Sequence, residues 1–149
     1  MRRALMTLAV MVLVAGAGAV RADSLPLAGG VQAFELCTQD LCGKAFFAGL
    51  FKGRIGNVPT ATGLITVAAN HEPLPAPGKH AALAGRWQLL AGFRLLGGSA
   101  AGDLLALDDK RFIVTVHMVI EQGGSGDAAF TGLLDHNYFP PHLDGVISQ

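Results

Sequence analysis

Cysteine is scarce in this chain, with Cys37 and Cys42 the only two, which excludes a multi-bridge disulfide scaffold and a four-cysteine zinc site. Charge is sparse as well. Charged residues make up 15% of the sequence, and no cluster of Lys and Arg follows Ala22, so the counterion displacement that phosphate-backbone binding needs has no source and no nucleic acid partner is expected. The only serines are Ser24, Ser99, Ser125 and Ser148, none within a nucleophile-elbow motif. Glu35, Glu72 and Glu121 are few and scattered, which offers no carboxylate pair for glycosidic or proton-transfer work. After residue 22 no apolar run is long enough to span a bilayer as a helix.

Such a run does occur at the start. Arg2 and Arg3 precede the apolar stretch Ala4 to Val20, and Val20-Arg21-Ala22 has the small-residue character of a cleavage site. Residues 1–22 therefore read as a secretory signal peptide, with the exported domain at 23–149. Asp23, not a cysteine, follows the cleavage site, which argues against a lipid-anchored precursor. Left uncleaved, the leader would act as an anchor, since its apolar stretch lies near the short limit of a membrane helix. Arg2, Arg3 and Arg21 leave with the leader, so eight of the eleven basic residues remain against eleven acidic ones. The expected location is periplasmic or secreted. In that compartment Cys37 and Cys42 are expected to form a disulfide, a local staple worth about 2 kcal/mol for so short a loop; the alternative, a redox-active dithiol, lacks the spacing and the strand-helix context of that motif.

Period-two alternation dominates the exported part. Phe112, Val114, Val116, Met118 and Ile120 share one parity and Thr115, His117 and Glu121 the other, the pattern of a half-buried strand over Arg111 to Glu121. Upstream, Trp87, Leu89, Ala91, Phe93 and Leu95 also share a parity, which predicts one continuous strand with Gly92 as a bend or bulge. Turn signals stand at Gly97-Gly98-Ser99, Asp108-Asp109-Lys110 and Gln122 to Gly126. Further strands are expected at Ala45 to Ile55, Ala61 to His71, Gly102 to Leu107, Asp127 to Asp135 and Leu143 to Ser148, with Val31 to Leu36 a weaker candidate. Connections this short require antiparallel neighbours. The fold class is all-β: a single small antiparallel β-barrel of seven or eight strands, with a β-sandwich as the alternative. Large and absent side chains alternate along Phe47, Gly49, Phe51 and Gly53, which suits the tapering interior of a small barrel. Phe47, Leu50 and Phe51 also lie at helical spacing after an N-cap at Thr38, but Gly43, Gly49 and Gly53 oppose a helix. Pro73, Pro75 and Pro77, and Pro140-Pro141, put the stretches Glu72 to His80 and His136 to His142 outside the strands, at barrel ends.

The stretch Gly123-Gly124-Ser125-Gly126-Asp127-Ala128-Ala129-Phe130-Thr131-Gly132, following a long apolar strand and followed by Gly145-Val146-Ile147, resembles the Gly-Gly-Thr-Gly hairpin of dirigent-like and allene oxide cyclase-like proteins. The resemblance covers about the last third of the chain and implies an eight-stranded barrel, in some members with a central cavity for an apolar ligand. No catalytic residue of those families finds a matching position here. Gly124 to Ala129 also satisfies a dinucleotide fingerprint, with Asp144 at the spacing of a ribose-binding acid. The next residues read as a strand where that fingerprint needs a helix N-terminus, so the glycines form a hairpin turn.

Five histidines remain to be placed. His71, His117 and His136 would form a zinc or copper site only if three strands brought them together, with Asp135 as an oxygen ligand; otherwise His117 is a solvent-facing strand residue, and no cofactor is expected. The segment from Asp135 to His142 concentrates the sole Tyr with a Phe and two His, and His136, Asn137, Tyr138, Phe139 and His142 are the candidate contact surface for a ligand or partner. The competing reading has Tyr138 and Phe139 plug the barrel end. These features point to a non-catalytic binding or envelope-associated module whose partner is an apolar small molecule or an envelope protein. A barrel-cavity isomerase or cyclase acting on an apolar molecule is the enzymatic alternative, and His-based metal capture the third.

Overall fold

The computed structural model describes residues 24–149; the leader and its cleavage site lie outside them. Eight strands follow one another: β1 Leu27–Cys37, β2 Ala45–Ile55, β3 Val58–His71, β4 His80–Ala91, β5 Arg94–Ala106, β6 Arg111–Ile120, β7 Gly126–Asp135 and β8 His142–Ser148. Each pairs antiparallel with the next, and β8 returns to β1, closing the barrel. Among the described residues, closure leaves no unpaired sheet edge for another chain to extend. A sandwich would have left two open sheets.

Inward parity follows the sequence alternation. Even positions of β6, from Phe112 to Ile120, are buried, and Ala128, Phe130 and Leu134 of β7 face them. Two readings from the sequence are corrected here. Residues 85–95 are not one strand, because Gly92 takes a φ of 62° and forms with Phe93 a two-residue turn that sets Ala91 opposite Arg94 and Leu90 opposite Leu95. Parity therefore switches at the turn: Leu89 points in on β4, Leu96 points in on β5, and Phe93 projects into solvent. Gly97-Gly98-Ser99 is not a turn either, since it lies inside β5. The Gly97 carbonyl accepts from the N–H groups of both Glu121 and Gln122 at 2.9 and 3.0 Å, a bulge that bends β5 against β6.

The segment after Thr38 does turn helical, but only over Gln39–Cys42, here α1. Residues 45–51 belong to β2, where Phe47 and Phe51 are separated on the inward parity by Gly49. Leu27–Cys37 forms a full strand where the sequence offered only Val31 to Leu36, because its inward residues Leu27, Val31 and Ala33 are interrupted by a glycine that breaks the apolar pattern.

Strand direction alternates around the barrel, so α1 and the connections 72–79, 107–110 and 136–141 gather at one end. Both proline-bearing loops are among them. The opposite end is closed by short turns and by the segment Ser24 to Pro26, whose Leu25 N–H donates to the Ser125 carbonyl at 2.8 Å while the Pro26 carbonyl accepts from Gly56 at 2.8 Å. Behind this strap the interior is tightly filled: Leu27, Phe51, Ile55, Leu89, Leu96 and Ile120 are fully or almost fully buried. On the outside, the Ser99 hydroxyl and the Arg86 guanidinium hold the Glu121 carboxyl below the usual carboxylate range, tying β4, β5 and the end of β6 together.

Candidate functional site

The other half of the barrel is hollow. A cavity of about 530 Å³ opens at the α1 end, its deeper wall formed by Trp87, Val116, Met118 and Phe130 with Ile147. The volume lies within the 300–1,000 Å³ or so usual for small-molecule pockets, and the lining is of the apolar kind such sites have. The hollow follows from the inward residues around it: Ala33, Ala45, Ala69 and Ala100 stand among larger Phe47, Leu83, Leu104 and Leu134, and side chains that short leave space unfilled in a barrel whose strand number fixes its width. Trp87 satisfies its indole N–H on the Ser99 carbonyl at 3.2 Å, so its ring lines the cavity without an unmet polar group.

Polar chemistry enters this apolar space at the ends of three strands. Glu35 continues the inward parity of Val31 and Ala33 on β1, His71 that of Ile65, Val67 and Ala69 on β3, and His136 that of Phe130 and Leu134 beyond β7. Two of them meet. Glu35 Oε2 and His136 Nε2 lie 3.0 Å apart, their side chains 5% and 23% exposed, while the imidazole rests its edge on Phe112 at a centroid distance of 5.6 Å. The contact has ion-pair distance but not hydrogen-bond alignment, and among the described residues these are the two buried side-chain polar atoms with no hydrogen bond. A buried group left in that state costs about 1–3 kcal/mol, more if charged.

At the mouth, Thr38 and the α1 residues Gln39 and Asp40 that follow it contribute to the lining. The Gln39 side chain brackets the end of β3, its Nε2 donating to the His71 carbonyl at 2.9 Å and its Oε1 accepting from the His71 N–H at 2.7 Å. His71 Nδ1 lies 2.6 Å from the Glu72 carbonyl, which only accepts, so Nδ1 carries the proton. A disulfide joins Cys37 to Cys42 across α1, with Cα atoms 6.1 Å apart. It fixes the helix to β1 and, through Gln39, to β3. Reduction is expected to lower stability by about 2 kcal/mol, as a six-residue closed loop gives in the chain-entropy relation, and urea unfolding with and without dithiothreitol measures it.

The candidate residues divide sharply. Of the contact segment, His136 lines the cavity, whereas Asn137 turns back on Asp135, to whose Oδ1 its N–H and Nδ2 donate at 2.9 and 2.8 Å. Tyr138 stacks on His142 at 4.2 Å, and His142 meets Phe34 edge-on at 5.0 Å. Tyr138 is 54% and Phe139 101% exposed, so neither plugs the barrel. They stand on its rim. The other three connections at this end each add an exposed leucine, Leu41, Leu74 and Leu107. Of the metal set, His117 faces outward on β6 and pairs with Asp127 at 3.1 Å, away from His71 and His136; among the described residues no three His, Cys, Asp or Glu side chains are grouped to hold a metal ion. His80 is likewise outside, paired with Asp103.

Glu35 is the site residue that sequence reasoning missed. It was grouped with the scattered carboxylates, although a lone acid on the apolar parity of a strand was visible in Val31-Gln32-Ala33-Phe34-Glu35.

No protein-family model, curated protein or solved structure matches this chain. The cavity has a distinct chemistry of its own: an apolar chamber closed at one end, with an acid and an imidazole at its mouth and an apolar rim around it.

Proposed function

We propose that this protein is an exported, non-catalytic binding module that holds an apolar small molecule in the open half of its barrel. The single observation that carries the reading is the cavity itself. Filling half the barrel at the expense of the other half is costly to stability unless something occupies the space, because lining atoms without neighbours forfeit their dispersion contacts. Export is supported by the leader pattern of residues 1–22 and by the Cys37–Cys42 bridge, since disulfides persist in oxidising compartments. The rim of Leu41, Leu74, Leu107, Tyr138 and Phe139 supports an encounter with an apolar source of ligand, an envelope surface or an envelope protein.

Trp87 is the only tryptophan and lines the cavity, so it serves as the reporter. The fluorescent apolar probe N-phenyl-1-naphthylamine is expected to bind and to receive energy from Trp87. Ala100→Phe, which pushes a ring into the cavity from β5, is expected to weaken probe binding at least about tenfold while raising stability by about 0.5–2 kcal/mol, as cavity filling commonly does. Probe that binds equally well to both proteins would place it somewhere else.

A second reading, a cavity isomerase or cyclase, is favoured by one observation, the juxtaposition of Glu35 and His136 in an apolar chamber, the setting in which an acid and a base act together. Mass spectrometry and NMR of the ligand recovered after incubation decide between the two: a carrier returns it unchanged, an isomerase returns it with rearranged bonds.

A further inference from the structure

Resting on the cavity as an apolar binding site, we infer that its ligand bears a hydroxyl group held between Glu35 and His136, on an apolar body that fills the chamber behind them. The polar group follows from the unmet valences.

Of the other polar side chains of the mouth, Gln39 holds the His71 backbone and His71 Nδ1 holds the Glu72 carbonyl, while Thr38 is half-buried and Asp40 exposed at the lip, open to water. Glu35, 6% exposed, and His136 are different. Their facing atoms lack any hydrogen bond, so parting them to admit a ligand forfeits none. The proton distribution is set by electrostatics. A bare Nε2 lone pair 3.0 Å from a carboxylate oxygen would be repelled, so Nε2 carries a hydrogen, and the pair presents one donor beside one acceptor. A hydroxyl answers both, its O–H donating to the carboxylate and its oxygen accepting from Nε2–H. An ether or ketone only accepts and leaves Glu35 unmet. An ammonium only donates and leaves His136 unmet, and a carboxylate is repelled by Glu35.

Matched amphiphiles test this. The wild-type protein, loaded with N-phenyl-1-naphthylamine, is titrated at neutral pH with 1-dodecanol, with 1-methoxydodecane and with dodecanoate, and displacement is read from probe emission. The alcohol is expected to bind at least about tenfold more tightly than either of the others. In Glu35→Leu/His136→Phe, where apolar groups replace both partners, the advantage of the alcohol over the ether is expected to fall to about twofold or less. Circular dichroism and thermal unfolding confirm that the variant barrel is intact; should it fail to fold, Glu35→Leu alone is expected to show the same loss of preference, because the remaining Nε2–H serves alcohol and ether alike. Equal affinity of wild type for alcohol and ether, or a preference for dodecanoate, overturns the hydroxyl inference and leaves the cavity reading in place. Absence of probe binding to wild type removes the cavity reading itself.

Discussion

Leu89→Ala is expected to destabilise the protein by about 4–5 kcal/mol, and Leu104→Ala by only about 2–3 kcal/mol, although the same atoms are removed in each case. Leu89 is 0% and Leu104 4% exposed, so surface burial barely separates them. Their neighbours do. Leu89 points from β4 into the filled half behind the Ser24–Pro26 strap, and truncating it opens a new void that the surrounding Phe51, Leu96 and Leu27 cannot close without leaving their own positions. Leu104 points from β5 into the cavity, where its side chain already lacks neighbours on one side and the space it vacates merges with an existing hollow. The transfer contribution is shared by both variants; the packing contribution is large only for the first. Urea unfolding with unchanged m-values measures the difference. Against a typical total stability of about 5–15 kcal/mol, the Leu89 variant will be close to unfolding. Equal costs at the two positions would mean that the barrel collapses onto its cavity in solution, and the binding proposal would lose its foundation.

Gly98→Ala carries the second large effect, a loss of about 3 kcal/mol or more, at the upper end of overpacking costs. A Cβ at Gly98 would overlap the Val119 carbonyl oxygen and crowd the Glu121 N–H. Both belong to the backbone of β6 and its continuation, so no side chain can rotate away. The collision sits at the bulge where Gly97 accepts two hydrogen bonds from Glu121 and Gln122, and relieving it would unbend β5. Gly30→Ala is the control. Nothing lies within 4 Å of the position its Cβ would take, and there the same substitution is expected to stabilise by about 0.5–1 kcal/mol through the entropy glycine loses in a strand. Thermal unfolding of the two variants should therefore move in opposite directions.

How much was legible in advance depended on the range of the interaction. The alternation in Arg111 to Glu121 specified β6 and its buried face because strand parity is a local property of the backbone. The same reasoning failed over residues 85–95, where the two-residue turn Gly92-Phe93 joins two apolar stretches of one apparent parity. Leu95 kept the sequence alternation yet ended on the outer face, and Leu96 took the inner one. Gly97-Gly98 resembled a turn because glycines favour turns, but here the demand for absent side chains came from the approach of β6, a strand more than ten residues away. His136 stood out in the sequence as part of an aromatic surface segment, and the structure places it in the cavity lining. It belongs to the site not as part of an aromatic surface segment but as the next inward position after Leu134.

By itself, the sequence determined that this chain makes antiparallel strands with one apolar face, that its prolines and glycines separate them, and that an apolar interior would result. Each of those follows from side-chain period and turn chemistry, which act over a few residues. Only the tertiary structure decided that eight strands close, that short side chains leave part of the interior hollow, and that Glu35 from the first strand meets His136 beyond the seventh. That meeting depends on β8 lying between them, with Phe34 in register with His142 on one side and Asp135 with His142 on the other. Closure register and barrel width are properties of all the strands together.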